Sequence, residues 1–456
     1  MLTPALLRHA YDLRGRMGVD LEADDFRRMG LAFAARLRSH GRRRIAMGRD
    51  GRLTSEALAR AFADGLVAGG MEVLDLGLAP SPQVYFAEKH MSADAAAVIT
   101  ASHNPAEWNG LKLVEHGRIV FGEALVELAT QANGPLEQAP GGHRAPVDLR
   151  EPYLAHLIHD EPPARPMRIG LESLHGAAGP LARELLERLG MEVIALRCEI
   201  DGRFPDGPPD PSRPENLAAL RAAVMAHHLD LGLALDGDGD RLVALDGRGE
   251  IIEPDRLLVL LARAALEHEP GACVLMDVKG SHAAQRAIEH AGGRVRLVPS
   301  GHAHMREGLR QHGALLGGEL SGHIFFADNG FDDGLDAAAR LLRLLARQDA
   351  SPTQLFDALP RAHATPEIQV PRPAGLHVEA LLDGLAADLP APGEALLRID
   401  GLRLDSPEGF ILVRASNTQP LLTLRIEGQD EAALARLKSR LIEAWPPSAP
   451  PLPHPL

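Results

Sequence analysis

The sequence is short of cysteine, of net positive charge and of long apolar runs, and each shortage removes a class of protein. Cys198 and Cys273 are the only cysteines and show no C-x-x-C spacing, which excludes a disulfide framework and a sulfur-based metal site. A reducing cytoplasm is the expected location. The formal net charge is −14. Nucleic acid and anionic membrane both need a basic face, so neither is expected as the main partner, and any phosphate ligand must meet a locally positive pocket. The most apolar helical stretch, 257–266, is interrupted by Arg263 and is too short to cross a bilayer. The opening MLTPALLRHAYDLRG has no basic segment followed by a sustained apolar one, so no secretory signal is expected.

What is present reads as a folded, multidomain chain. Hydrophobic residues make up 45% and charged residues 24% of the 456, which argues against disorder, and the length predicts several packed domains with room for a cleft between them. Periodicity predicts strand 44–47, helix 55–68, strand 72–76, helix 82–90 and strand 95–99. The same β-α-β-α-β order returns over 168–235 and again over 272–316, so three similar units of roughly one hundred residues are expected. Alternating apolar strands and amphipathic helices imply mixed, mostly parallel sheets covered on both faces, in three α/β/α domains. Gly/Pro-rich connections at 133–143 and 360–373 suggest boundaries. The expected domains are 1–143, 144–248, 249–362 and a smaller α+β cap, 363–456, with a strand-helix-strand-strand-helix pattern. The proline-rich end after Trp445 cannot continue a helix and is expected to be a loose tail.

In each unit the third core strand runs into a polar loop, and ligands bind at the carboxyl ends of such strands. The three loops, at 100–105, 236–241 and 318–323, are expected to converge on one cleft. Asp236, Asp238 and Asp240 alternate with glycines that let a tight loop turn three carboxylates toward one point, a crowding that a hard cation would relieve. An ordinary Asp-Gly turn is the bland alternative. An EF-hand is excluded, because Arg241 stands where its glycine belongs and Gly247 where its glutamate belongs. Few ligands and an open shell favour Mg²⁺ with a phosphate completing it. Ser102 follows an apolar strand and precedes His103-Asn104-Pro105, which forces the chain out of regular structure; the position suits a nucleophile, although taken alone a serine capping the next turn is the commoner reading, and its weight comes from the neighbouring motifs. Glu319, Ser321 and His323 offer a carboxylate, a hydroxyl and an imidazole suited to sugar hydroxyls. Arg414, Ser416, Asn417 and Thr418 suit a phosphate dianion, with a polar hairpin as the alternative. His302 and His304 point to different sides of a helix and make a poor metal pair.

Taken together, these motifs resemble the α-D-phosphohexomutase family, in its bacterial phosphomannomutase/phosphoglucomutase branch. The match runs in order through Tyr11-Asp-Leu-Arg-Gly15, Gly48-Arg-Asp-Gly-Arg52, TASHNP at 100–105, Asn109-Gly-Leu-Lys112, DGDGDR at 236–241, Asp277-Val-Lys279, GELSGH at 318–323, Gly330-Phe-Asp-Asp-Gly334 and RASNT at 414–418. The resemblance implies that Ser102 carries a phosphoryl group and that Asp236, Asp238 and Asp240 hold Mg²⁺ together with the phosphate on Ser102. It places Arg14, Lys112, Arg241 and Lys279 around the transferring group, Glu319 and Ser321 on the sugar, and the Arg414–Thr418 loop on the other phosphate. Lys112, His302 and His323 are candidates for proton transfer. The implied reaction interconverts hexose 1-phosphate and 6-phosphate through a hexose 1,6-bisphosphate, with glucose 1,6-bisphosphate as activator. The expected partner is a small phosphosugar, and the expected state is a monomer or weak homodimer. Leu320 stands where this branch usually has methionine and phosphoglucosamine mutases have glutamine, which favours glucose and mannose over glucosamine, the alternative. The segment 204–210 lacks histidines many relatives carry, which leaves its contacts open. A phosphatase with an aspartyl nucleophile fits less well, since Asp238 is followed by Gly239 and Asp240 and not by the D-x-D-x-[TV] pattern.

Overall fold

Short strands with every side chain buried sit at the centre of each repeated unit, and the rest of the architecture follows from covering them. The computed structural model describes residues 2–3, 7, 11–159, 163–373, 375–416, 421–453 and 456. The first domain runs β1 (Leu13–Arg16), α1 (Ala23–Ser39), β2 (Arg44–Arg49), α2 (Ser55–Ala68), β3 (Glu72–Leu78), α3 (Ser81–His90), β4 (Ala95–Ile99), β5 (Trp108–Glu115), β6 (Arg118–Ile119), α4 (Glu123–Asn133) and β7 (His143–Pro146). Its sheet order is β1-β5-β4-β2-β3-β7. β2 is parallel to β3 and β4, whereas β5 is antiparallel to both β4 and β1. That reversal puts Lys112 on β5, beside β4 whose end carries the Ser102 loop, and Arg14 one strand further out on β1.

The second domain follows as α5 (Arg150–Ile158), β8 (Arg168–Glu172), α6 (Gly179–Arg188), β9 (Glu192–Leu196), α7 (Ala218–His227), β10 (Leu231–Leu235), β11 (Leu242–Asp246) and β12 (Ile251–Ile252), in sheet order β12-β11-β10-β8-β9. β10 is parallel to β8 and antiparallel to β11. The third domain contributes α8 (Pro254–His268), β13 (Cys273–Asp277), α9 (His282–His290), β14 (Arg294–Val298), α10 (His302–His312) and β15 (Ala314–Gly318), with β13 parallel to both β14 and β15. β16 (Ile324–Phe326), α11 (Gly334–Ala346) and α12 (Pro352–Asp357) follow.

The last domain is antiparallel throughout. β17 (His363–Ala364), β18 (Ile368–Pro371), α13 (Val378–Asp388), β19 (Ala395–Leu397), β20 (Leu402–Ser406), β21 (Gly409–Ala415), β22 (Leu421–Gly428) and α14 (Glu431–Ala444) build a sheet β17-β22-β21-β20-β19, with β18 also on β22. It holds more strands than the sequence pattern suggests, and two of them lie in the connection at 360–373. The end of the chain also departs from expectation. The helix stops before Trp445, as the prolines require, but Trp445 donates its indole N–H to the Pro450 carbonyl at 2.8 Å, and Ala449, Leu452 and Leu456 pack on this domain's core. Apolar side chains interleaved with the prolines turn an expected loose tail into a docked one.

Contacts divide the chain into two compact units, Met1–Pro254 with Ser321–Asp357, and Asp255–Leu320 with Ala358–Leu456. Among the described residues no helix is long and apolar enough to cross a membrane.

Candidate active site

In the first unit, β4 and β10 are fully buried, and each ejects its chain into a polar loop. Ser102 is itself buried, with φ +49, a left-handed conformation that costs an L residue roughly 1–2 kcal/mol. Its Oγ donates to Asp236 at 2.7 Å and lies 3.1 Å from Nδ1 of His103; its N–H donates to the Thr100 hydroxyl at 2.8 Å. Asp236, Asp238 and Asp240 are all fully buried, and one carboxylate oxygen from each falls within 4.8 Å of the others. The serine and the three carboxylates thus share one dry pocket.

Lys112 spans two of these carboxylates, 2.6 Å from Asp238 and 2.6 Å from Asp240. Burial alone would lower its pKa, but those two charges hold it well above the ordinary lysine value. The same ammonium outweighs burial at Asp238 and keeps that carboxyl below its usual range. At Asp236 burial, followed by repulsion from Asp240 and Asp238, outweighs Arg241 and Lys112 and pushes the carboxyl up to about 8. Asp240 is raised by burial and by Asp238. One oxygen each of Asp238 and Asp240 is buried with no hydrogen-bond partner. Buried acceptors left unpaired beside a raised carboxyl are what a hard divalent cation satisfies, so the residues present fit a metal.

Arginines close the pocket. Arg14 donates to Asn104 Oδ1 at 2.6 Å and to the Ala101 carbonyl at 3.2 Å, while Asp12 grips the rest of its fork at 2.9 and 2.8 Å. Arg241 lies 3.8 Å from Asp236 and donates from Nε to Nε2 of His323 at 3.0 Å. Nδ1 of His323 lies 2.9 Å from Asp332 and 3.6 Å from Asp240. Arg241 therefore faces a ring nitrogen that must accept, which leaves the proton of neutral His323 on Nδ1, toward Asp332. Asp332, His103, Asp12 and Ser81, whose hydroxyl donates to Asp238, were not singled out in the sequence. Asp332, Asp12 and His103 lie inside motifs of the family resemblance, which is their only signal, and Ser81 has none.

The second unit gathers the other expected groups around a different carboxylate. Lys279 sits 3.7 Å from Asp277 and 3.4 Å from Glu367. Asp277 also accepts from Ser300 Oγ at 2.8 Å and from the Leu320 N–H at 3.4 Å, next to buried Glu319. The Ser300 N–H in turn donates to Asp400 at 3.1 Å, and Asp400 accepts from Arg414 Nε at 3.0 Å. Lys279, the start of the 318–323 loop and Arg414 thus belong to one network. His302 is buried at the start of α10, two residues after Ser300, and Ser416 is half-buried beyond Arg414. Ser321 is half-buried in the first unit. Asn417 and Thr418 lie outside the described residues.

A buried serine set against a loop of three buried carboxylates, on repeated α/β/α domains, marks an enzyme of the α-D-phosphohexomutase class. The chain belongs to the phosphoglucomutase/phosphomannomutase family: its alpha/beta/alpha domain I matches residues 5–132, domain II 151–249, domain III 253–363 and the C-terminal domain 367–444. It is similar to a phosphoglucomutase of Neisseria gonorrhoeae, 39% identical over 436 residues and covering 94% of this chain and 95% of that one. It is equally similar to a phosphomannomutase/phosphoglucomutase of Pseudomonas putida, 39% identical over 438 residues, covering 95% and 94%. A phosphoglucomutase/phosphomannomutase family protein from Burkholderia thailandensis superposes with a TM-score of 0.91 at 39% identity, covering 99% of this chain and all of that one (100%).

Proposed function

We propose that this enzyme interconverts hexose 1-phosphate and hexose 6-phosphate, of glucose and mannose, through a phosphorylated Ser102 and a hexose 1,6-bisphosphate. The observation that carries this reading is the 2.7 Å contact of the Ser102 hydroxyl with Asp236, inside a buried pocket that also holds two further carboxylates and a lysine. Phosphoryl transfer asks little covalent work of a protein; it needs in-line placement and neutralisation of charge on the equatorial oxygens.

In the forward step the sugar hydroxyl attacks the phosphorus on Ser102. The new sugar O–P bond forms as the serine O–P bond breaks, the hydroxyl gives up its proton, and the freed serine oxygen takes one up. His323 is the better acceptor of the sugar proton once Arg241 turns from it to the phosphate: Asp332 orients Nδ1 and leaves the lone pair on Nε2, which here accepts from Arg241 Nε, whereas Lys112 is held as an ammonium by two carboxylates. Lys112, Arg14 and Arg241 balance phosphate charge. Asp236, Asp238 and Asp240 would hold Mg²⁺, which when bound supplies positive charge to the transferring group. Lys279, Glu319, Ser321 and the Arg414–Thr418 loop would bind the sugar and its other phosphate, and the bisphosphate turns over before the second transfer. Glucose 1,6-bisphosphate would serve as activator by restoring the phosphate on Ser102.

Relatives named for glucose and mannose phosphates, together with apolar Leu320, favour these sugars over glucosamine phosphate. The test is kcat/KM for glucose 1-phosphate, mannose 1-phosphate and glucosamine 1-phosphate with Mg²⁺ and a trace of glucose 1,6-bisphosphate. Comparable values for the first two, with the third far behind, are expected. A preference for glucosamine 1-phosphate would overturn the sugar assignment and leave the phosphoserine chemistry standing.

A further inference from the structure

The motif Gly48-Arg-Asp-Gly-Arg52 has no part in the chemistry above, yet its last residue is among the largest fully buried side chains. All five N–H bonds of the Arg52 guanidinium are used. Nη2 donates to the carbonyls of Ser102 and Asn104, each at 2.7 Å; Nη1 donates to those of Pro105 at 2.6 Å and Trp108 at 3.0 Å; Nε donates to Asp50 at 3.0 Å. Three of the five go to main-chain oxygens of the loop that carries Ser102, and a fourth to Trp108, where β5 takes up the chain from that loop. A buried guanidinium spent on backbone carbonyls, with no side chain or solvent competing, acts as a mould for the chain around it.

The mould has a floor from the second domain. The Phe204 ring centroid lies 4.9 Å from Cζ of Arg52, and Arg52 forms an isolated bridge with Gly202. Nearby Pro209 accepts from the N–H of Gly237 at 3.2 Å, and a Cβ on Gly237 would stand 2.4 Å from the Ser102 carbonyl. The segment 204–210, whose contacts the sequence leaves open, therefore braces the serine loop and the metal loop from beneath. On the other side, Arg14 holds Ala101 and Asn104.

We propose that Arg52 is a positioning residue for phosphoryl transfer: it locks the backbone of Ser102 in its left-handed conformation, so that Oγ is aimed at the three aspartates. The inference rests on the reading of Ser102 as the phosphoryl carrier. Lysine keeps the charge of arginine but cannot reach four carbonyls with a planar fork, so Arg52→Lys separates the mould from the charge.

The test compares full-length wild type, Arg52→Lys, Asp50→Asn and Ser102→Ala, each with Mg²⁺. It reads thermal unfolding, kcat and KM for glucose 1-phosphate, and the rate at which glucose 1,6-bisphosphate phosphorylates Ser102, followed by intact mass. For Arg52→Lys the expected result is a folded protein with KM within about threefold of wild type and kcat lowered about 100-fold, with Ser102 phosphorylation slowed in proportion. Should Arg52→Lys not fold, the isosteric Asp50→Asn, which removes the charge opposite Nε while its Oδ1 can still accept from the Arg52 N–H and the Ser55 hydroxyl, is expected to lower kcat about tenfold at unchanged KM. An Arg52→Lys enzyme with wild-type kcat, a loss that only tracks the folded fraction, or, where Arg52→Lys does not fold, an unaltered Asp50→Asn enzyme would overturn the inference. Activity retained in Ser102→Ala would instead overturn the phosphoserine reading itself.

Discussion

The loop at Ser102 and the loop at Asp236–Asp240 occupy equivalent places after equivalent buried strands, yet they are held by opposite means. The metal loop, although braced by Pro209 and Ala177, closes its own turn. Gly239 supplies a φ of +79 without penalty, and the N–H groups of Gly239 and Arg241 fold back onto Asp236 at 3.1 and 3.2 Å. The serine loop must place a residue with a side chain at φ +49, so its shape is imposed from outside, by Arg52 on one side and Arg14 on the other. A loop whose chemistry needs a hydroxyl at the strained position cannot use glycine there; strain at such a site is maintained by the surrounding structure.

The comparison is sharpened first by pH, on the metal loop. Asp236 is pushed up to about 8, so the metal-free enzyme carries a proton there at neutral pH, while Asp238, held low by Lys112, is already ionised. A carboxyl with a raised folded pKa stabilises the metal-free fold at low pH, and that contribution is lost as pH rises from the ordinary carboxylate range through about 8. Mg²⁺ must displace the proton, so its affinity is expected to rise by up to about tenfold per pH unit below that value and then level off. Calorimetry in two buffers of different protonation enthalpy, expected to show release of about one proton, checks this. An affinity that does not vary with pH across this range would contradict the assignment.

A smaller effect separates the loops by stability. Ser102→Gly is expected to be more stable than Ser102→Ala by about 1 kcal/mol, although neither can carry phosphate, because glycine relieves the left-handed strain that alanine retains. Denaturant unfolding of the two variants measures the difference. Equal stabilities would mean that the backbone at 102 stores no strain.

Much of this arrangement is legible in the sequence, and what is not has physical causes. The strands and helices of the three repeats fall where periodicity puts them, since strands such as β4 and β10 are apolar throughout and the helices between the strands are amphipathic. β1, α1 and β5 stand outside the repeated pattern that periodicity predicts, although β1 and β5 carry Arg14 and Lys112. In the last domain β20 puts Arg403 at a fully buried position, which spoils the alternation expected of a strand. Its charge is accommodated by Asp405 at 2.7 Å, by the carbonyls of Val278 and Gly280 and by the face of Phe410 at 3.8 Å, partners remote in sequence or hidden in the backbone. The same holds at the site: Ser102 and the aspartates announce themselves, whereas Arg52 acts through carbonyls and Asp400 through a network that closes only in three dimensions.

The central claim is that Ser102 carries the phosphoryl group, and intact mass with peptide mapping after incubation with glucose 1,6-bisphosphate and Mg²⁺ tests it most directly. One phosphate per chain, on Ser102, discharged by added hexose phosphate and absent with all mutase activity from Ser102→Ala, is the expected result. Turnover by Ser102→Ala, or phosphate mapped to another residue, would contradict it.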